Sequence, residues 1–230
     1  MIEHESVPGT IPYFLKEQIR RAIVDGTFHP GQPLREQDLE KRYASSRGPI
    51  REALRMLEHI GLVTHVQRRG FRVTLYSEKE IRDQYLLRAE LQSYALLQLA
   101  QIDDLRPLLK DLAECHQRMA LAFGQRDPSA YLKELRYFFD ATVGFLGNAP
   151  LEDAHRRLCE LAEPLRYNLL SRRLDQSKSL QYTKKIMMAI KARDFERAAA
   201  LKREHVLLNL PSIIETYVSA QYGRTVEKAG

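Results

Sequence analysis

The sequence has few cysteines and no long apolar run, and these two absences exclude several classes of protein. Among 230 residues there are two cysteines, Cys115 and Cys159, and they form neither a disulfide framework nor a Cys-x-x-Cys motif. No apolar run approaches the ~20 residues that a membrane-spanning helix requires. The N-terminal segment carries Glu3 and Glu5 and lacks the apolar core of a signal peptide. We therefore expect a reduced, cytoplasmic, globular protein.

Positive charge is present in excess, but it is concentrated in one short segment. The chain has 36 basic and 30 acidic residues and a formal charge of +6. The segment from Lys41 to Arg72 has eight basic and two acidic residues, so it holds the whole excess and the rest of the chain is neutral. This distribution favours one polyanion-binding surface over a generally basic protein. The basic residues are Lys41, Arg42, Arg47, Arg51, Arg55, Arg68, Arg69 and Arg72.

Apolar spacing predicts three helices in the first third of the chain. The first helix spans Pro12–Asp25 and stops at Gly26, and the second, shorter helix spans Glu36–Tyr43. The third helix follows Ser46 as N-cap, has Pro49 in its first turn and ends at Gly61. On the third helix, apolar residues lie on one face and arginines on another; these are Ile50, Leu54 and Leu57, and Arg47, Arg51 and Arg55.

Two short extended segments, Leu62–Val66 and Phe71–Thr74, predict a hairpin whose turn, Gln67–Gly70, carries arginines at its tip. Three helices and a basic hairpin form a winged helix-turn-helix. The third helix would enter the major groove, where arginine matches guanine O6 and N7, and the wing would reach the minor groove. The alternative is that the helical arginines form a solvated face, on which Arg51 and Arg55 pair with Glu52 or Glu58.

Two motifs in this region carry a family resemblance. They are Ser46-Arg47-Gly48-Pro49-Ile50-Arg51-Glu52-Ala53-Leu54-Arg55-Met56-Leu57, and Gly61-Leu62-Val63 with Arg68-Arg69-Gly70-Phe71-Arg72-Val73. With them, the stretch from Ile11 to Thr74 resembles the GntR superfamily of bacterial transcription regulators. The resemblance implies a homodimer on a short palindromic operator. It also implies DNA contacts at Arg35 or Gln37, and at Ser46, Arg47, Gly48, Arg51, Gln67, Arg68, Arg69 and Gly70.

The rest of the chain has helical periodicity without strand alternation. We predict a mainly α protein, with a winged helix-turn-helix at residues 1–74, a linker at 75–80 and an antiparallel α-bundle of about six or seven helices at 81–230. Pro164 and Pro211 are expected to kink or divide two of these helices. Landmarks around Arg88, Gly147-Asn148 and His205 resemble the FadR-like subfamily, whose C-terminal FCD-type domain binds an effector and dimerises.

Many members of that subfamily hold a divalent metal through one Asp and three His. The Asp and the first His lie four residues apart, shortly before a Gly-Asn pair. Here, with one deletion allowed, Arg136 stands at the Asp position and Asp140 at the His position; without a gap, Leu135 and Phe139 stand there. Thr183 stands at the second His position, and only His205 matches. Because a transition metal normally needs three or four protein ligands, we predict no metal at this place.

The same comparison suggests an effector site at Arg88, Arg136, Asp140, Thr183 and His205. An inward Arg136 near Arg88 could replace the metal as the counter-charge for an anionic metabolite, such as a carboxylate. The alternative is that Arg136 is exposed and His205 is a core or interface residue. The remaining histidines share no His-x3-His spacing and are interpreted as surface or packing residues: His4, His29, His59, His65, His116 and His155.

The function that these patterns favour is a ligand-responsive DNA-binding transcription regulator, with no cofactor and no membrane contact. An enzyme is disfavoured because the sequence has no Gly-x-Ser-x-Gly, His-Glu-x-x-His or phosphate-cradling glycine loop. An effector-independent architectural DNA-binding protein is disfavoured because the large helical part is neutral.

Overall fold

The computed structural model describes the backbone of residues 10–172 and 176–227 and the side chains of residues 10–165 and 177–219. His4 and the N-terminal Glu3 and Glu5 lie outside the described residues. The chain divides into two compact units, of which the first ends at Tyr76 and the second begins at Ser77. No helix in the described ranges is both long enough and apolar enough to cross a bilayer.

The first unit is a winged helix-turn-helix. Its elements are α1 (Ile11–Val24), β1 (Pro33–Leu34), α2 (Glu36–Tyr43), α3 (Arg47–His59), β2 (Val63–Val66) and β3 (Gly70–Val73). The helices and the hairpin agree with the sequence prediction, whereas β1 was not predicted because a two-residue strand has no alternation to detect. The apolar stripes of α1 and α3 face one core, in which Ile19, Ile50, Leu54 and Leu57 are fully buried.

The three strands form an antiparallel sheet in the order β1-β3-β2. Val63 pairs with Val73, and Val66 pairs with Gly70 at the end of the hairpin. Gly70 has φ +75°, as the predicted turn requires, and Arg68 has φ +64°. Because the left-handed region is unfavourable for a residue with a Cβ, Arg68 has a backbone conformation that arginine adopts infrequently.

The second unit is the predicted helical bundle. In the described part of the chain it contains α4 (Glu78–Gln98), a 3₁₀ turn (Leu99–Gln101), α5 (Arg106–Gly124), α6 (Pro128–Gly144), α7 (Ala149–Arg172), α8 (Gln176–Lys191) and α9 (Phe195–Glu227). α4 packs mainly against α9, α5 against α6 and α8, and α6 against α7. Helices distant in sequence therefore share one interior.

The predicted linker needs correction, and of the two effects expected of the prolines, division of the helix does not occur. α4 begins at Glu78, inside the segment 75–80, because Ser77 and Glu80 form a capping box: Ser77 Oγ accepts from the Glu80 amide, and the Ser77 amide donates to Glu80 Oε2 at 2.7 Å. Pro164 and Pro211 do not divide their helices, since α7 and α9 continue through them. Buried residues on both sides, such as Leu210 and Ile213, offset the lost backbone hydrogen bond.

Candidate nucleic-acid interface and effector cavity

A concave surface between α2, α3 and the wing collects most of the residues predicted to contact DNA. Arg35, Gln37, Arg47, Arg51, Arg69 and Gly70 line it, together with Leu34, Glu36, Arg55, His65 and Phe71. Ser46, Gly48, Gln67 and Arg68 are outside this lining, at the start of α3 and at the wing tip. The basic residues that the sequence separates by up to 34 positions therefore face one groove of a single unit.

Glu36 at the start of α2 pairs with both arginines at the start of α3. Arg51 Nε donates to Glu36 Oε1 at 2.7 Å and Arg51 Nη2 donates to Oε2 at 3.1 Å, while Arg47 Nε also donates to Oε2. The hydrogen bond from Arg51, followed by that from Arg47, lowers the pKa of Glu36. The arginines pair with Glu36, which sequence spacing did not indicate, rather than with Glu52 or Glu58, because α2 and α3 meet at this corner.

The beginning of α3 is open to a ligand. Ser46 occupies the N-cap position with extended backbone, but its exposed side chain makes no capping hydrogen bond. A Cβ built on Gly48 would meet no atom within 4 Å. Neither packing nor a left-handed φ requires glycine there. The exposed hydroxyl and the helix N-terminus together present donors suited to a phosphate oxygen.

A cavity of about 50 Å³ lies inside the second unit, with room for a few water molecules. Its lining includes three of the residues predicted for the effector, Arg88, Arg136 and His205. Asp140 and Thr183 do not line it. The remaining lining residues are Tyr85, Gln92, Leu132, Leu135, Phe139, Cys159, Ser179, Lys202, Val206, Asn209 and Ile213.

Arg88 is a charged group of this cavity whose guanidinium is incompletely hydrogen-bonded. It is 6% exposed and its guanidinium lies 4.3 Å from the centroid of the Tyr85 ring. Within the described residues, its Nε and Nη1 atoms are buried without a hydrogen-bond partner. A buried charge without matching acceptors is unfavourable, so this guanidinium is suited to receive an anion.

Two further cations lie at the cavity. Lys202 is 3% exposed, and its Nζ lies 3.5 Å from the centroid of the Phe139 ring. Arg136 is half-buried rather than exposed, and it donates to Asp140 and Glu163 at 3.2 Å each. Burial opposes the charge of Arg136, but the two carboxylates outweigh burial and raise its pKa. Lys202 was missed in the sequence, although it shares the α9 stripe with the buried Ala198 and Leu201.

The residues at the metal position of the FadR-like subfamily do not fit a metal. Arg136 is a cation held by two carboxylates. The Thr183 hydroxyl donates to the carbonyl oxygens of Ser179 and Leu180 within its own helix. His205 Nε2 lies 2.7 Å from Ser179 Oγ. One imidazole remains from the expected set, which is too few ligands for a transition metal.

A second group of ligand-type side chains lies beside this position. The ligand atoms of Asp140, His155 and Cys159 all lie within 4.8 Å of one another. His155, which was interpreted as a surface or packing residue, is 2% exposed and faces both partners. The spacing of His155 and Cys159, four residues apart on α7, carried this signal in the sequence.

Comparisons with known proteins find a matching family model for each of the two units. A model of the bacterial regulatory proteins of the gntR family matches residues 14–73, and a model of the FCD domain matches residues 83–208. The transcriptional repressor GlaR of Escherichia coli is 33% identical over 204 residues, covering 85% of this chain and 92% of that protein. The regulator YdhC of Bacillus subtilis is 33% identical, covering 62% of this chain and 64% of that protein.

A more distant relative and two solved structures extend this result. The gluconate operon transcriptional repressor of Bacillus subtilis is 25% identical, covering 82% of this chain and 78% of its own. A GntR regulator from Rhodococcus sp. RHA1 has a TM-score of 0.74 at 21% identity and covers 89% of this chain and 97% of its own. McbR/YncC of E. coli has a TM-score of 0.74 at 18% identity, covering 90% and 99%. At these identities the structures support the fold alone.

Proposed function

The chain belongs to the GntR family of bacterial regulatory proteins, and from this premise we propose that it is a cytoplasmic, homodimeric repressor or activator controlled by a small anion. It is a transcription regulator with an FCD domain and not an enzyme, since the family models and relatives it matches are regulators. The observation that carries the proposal is Arg88, a buried guanidinium in a cavity with donors available to an anion.

The DNA-binding surface supports a division of labour among its residues. Arg47 and Arg51 at the start of α3 would read base edges, and Ser46 with the backbone at Gly48 would hold a phosphate. Arg69 would enter the minor groove from the wing. The remaining proposed contacts are Arg35, Gln37, Gln67, Arg68 and Gly70. In the absence of DNA, Glu36 would hold both recognition arginines in a fixed orientation.

Exposed apolar residues support the homodimer. Leu87 and Tyr94 on α4 are 53% and 45% exposed, and Leu207 and Leu208 on α9 are 55% and 45% exposed. α4 and α9 pack against each other, so these residues belong to neighbouring helices. A contiguous apolar patch commonly marks an interface, and we propose that these residues form one. A dimer would present two recognition helices to half-sites about 34 Å apart on one face of a palindrome.

The effector is proposed to act through α4. This helix starts at the boundary between the two units and carries Arg88 and Gln92 into the cavity. An anion bound to Arg88 and Lys202 would change the position of α4 and so the spacing of the two DNA-binding units in the dimer. The name of the gluconate operon relative makes sugar acids the first carboxylates to test, and an anion of that size would have to widen the cavity of about 50 Å³.

A titration with matched variants tests this proposal. Carboxylates are screened for thermal stabilisation, and the active one is titrated against the protein bound to fluorescent operator DNA. Wild type and Arg82→Gln, an exposed position on α4, should respond equally, with a change in DNA affinity of about 5- to 150-fold. Arg88→Gln should bind operator but not respond. A normal response in Arg88→Gln would contradict the proposal, and the absence of any stabilising ligand would favour effector-independent binding.

A further inference from the structure

Three side chains of metal-binding types lie together between α6 and α7, and two of them, His155 and Cys159, are not at the positions that the subfamily uses. His155 Nδ1 lies 3.4 Å from Asp140 Oδ1, and His155 Nε2 lies 3.3 Å from Cys159 Sγ. We propose that Asp140, His155 and Cys159 bind a divalent transition metal, best matched by Zn²⁺, whose fourth position opens toward the cavity that Cys159 lines.

The chemistry of the three donors selects the metal. A thiolate, an imidazole and a carboxylate are the ligand types of zinc sites, and three protein ligands with one open position are typical of sites that also bind water or a small molecule. A hard ion such as Mg²⁺ or Ca²⁺ would not be favoured by sulfur and nitrogen. Asp140 is shared with the family position, but His155 and Cys159 come from α7.

The distances between the ligand atoms show that metal binding needs only a small rearrangement of the three side chains. Zinc bonds of about 2.0–2.3 Å in a tetrahedron place ligand atoms about 3.3–3.8 Å apart. The contacts of His155 with Asp140 and with Cys159 already lie near this range, and the widest separation in the group is below 4.8 Å. The contact with Asp140 uses Nδ1 of the imidazole and the contact with Cys159 uses Nε2, whereas a metal would be bound by one of these nitrogens. Metal binding therefore requires the imidazole to turn or the carboxylate to move.

The surroundings favour a bound cation. Gln92 is 3% exposed, its Nε2 lies 2.7 Å from His155 Nε2, and its Oε1 has no hydrogen-bond partner within the described residues. A metal-bound water would supply the missing donor. Asp140, Glu163 and an ionised Cys159 carry three negative charges, which Arg136 and a divalent metal would balance.

Cobalt substitution tests the site in the full-length, untagged protein. The chain is stripped with a chelator and titrated anaerobically with Co²⁺, which gives a sulfur-to-cobalt charge-transfer band only when a thiolate binds it. One equivalent should produce this band, Zn²⁺ should displace it, and either metal should raise the melting temperature. Absence of the band and of any stabilisation in the wild-type protein would overturn the proposal.

Variants locate the metal. Cys159→Ser should lose the charge-transfer band, and His155→Gln should weaken Co²⁺ binding more than about tenfold. Cys115→Ser is the matched control and should keep the band, because Cys115 is buried elsewhere with its thiol donating to the Glu134 carbonyl. His205→Gln should also keep it. Loss of the band in His205→Gln but not in His155→Gln would place the metal at the family position and refute this site. Circular dichroism confirms that each variant is folded.

Discussion

The two units place their polar groups in opposite ways. The first unit has an apolar core and carries its charged side chains on its surface, six of them on the groove formed by α2, α3 and the wing. In the described part of the chain, the buried polar and charged residues all belong to the second unit; they are Arg88, Gln92, Ser93, Thr142, His155, Ser179, Thr183, Lys202, His205 and Thr216. A DNA-reading unit needs its polar groups outside, whereas a sensing unit needs some of them inside.

This difference has an energetic consequence. An apolar core contributes to stability directly, and exposed ion pairs such as Arg47–Glu36 contribute little. Burying Arg88 removes a charge from water without full compensation, which destabilises the bundle in the absence of a ligand. The first unit thus keeps its charged groups on the surface, and the second gives up some stability by burying polar and charged groups.

The largest expected effect is the loss of stability caused by a cavity in either core, and it tests whether the two units unfold independently. Leu54 in the first unit and Leu112 in the second are both fully buried. Replacement of either by Ala should reduce the free energy of unfolding of its own unit by about 2–5 kcal/mol, because a cavity is left in a packed core. Calorimetry should show each variant lowering one transition. If both transitions shift together in each variant, the cores are not independent.

Replacement of Arg88 by Met should stabilise the second unit. The substitution removes a buried, incompletely paired charge and keeps a similar apolar volume, so we expect a gain of about 1–4 kcal/mol. The measurement is chemical denaturation of the ligand-free protein. Arg203→Met is the control: Arg203 is an exposed arginine paired with Glu90, and its replacement should change stability by less than about 1 kcal/mol. A destabilised Arg88→Met would mean that Arg88 is already well compensated.

Replacement of Arg47 by Ala should reduce sequence discrimination by about 1–3 kcal/mol, the value of one good arginine–guanine pair. Binding to operator and to scrambled DNA gives this difference. Arg69→Ala should instead weaken both affinities similarly and reduce the salt dependence by about one phosphate contact. Unchanged operator preference in Arg47→Ala would show that Arg47 on α3 does not read the operator as proposed.

The smallest expected effect concerns Glu36. Arg51 and Arg47 lower the pKa of Glu36, so the carboxylate form of Glu36 is favoured in the folded protein. The stabilisation is present above the ordinary pKa of 4.5 and is lost as the pH falls below it. Glu36→Gln should therefore be slightly less stable than wild type at neutral pH and equal to it in acid. A difference that is independent of pH would show that the ion pair is not its source.

Sequence patterns were most informative in the first unit, because its features are local. The stripes of α1 and α3, the position of Ser46 at the start of α3 and the Gln67–Gly70 turn all depend on residues within one or two turns of each other. The pairing of Glu36 with Arg47 and Arg51, which joins residues 11 and 15 positions apart, was not predictable in this way. The cap of α4 at Ser77 was readable as Ser-x-x-Glu but was assigned to a linker.

In the second unit the sequence by itself determined that there are helices and which of their side chains are apolar. Only the tertiary structure decided what the interior contains. Arg88 and Lys202 reach one cavity because α4 packs on α9, and Asp140 meets His155 and Cys159 because α6 packs on α7. Helical periodicity reports which face of a helix is buried, but not against which other helix that face is buried, since that depends on packing between segments distant in the chain.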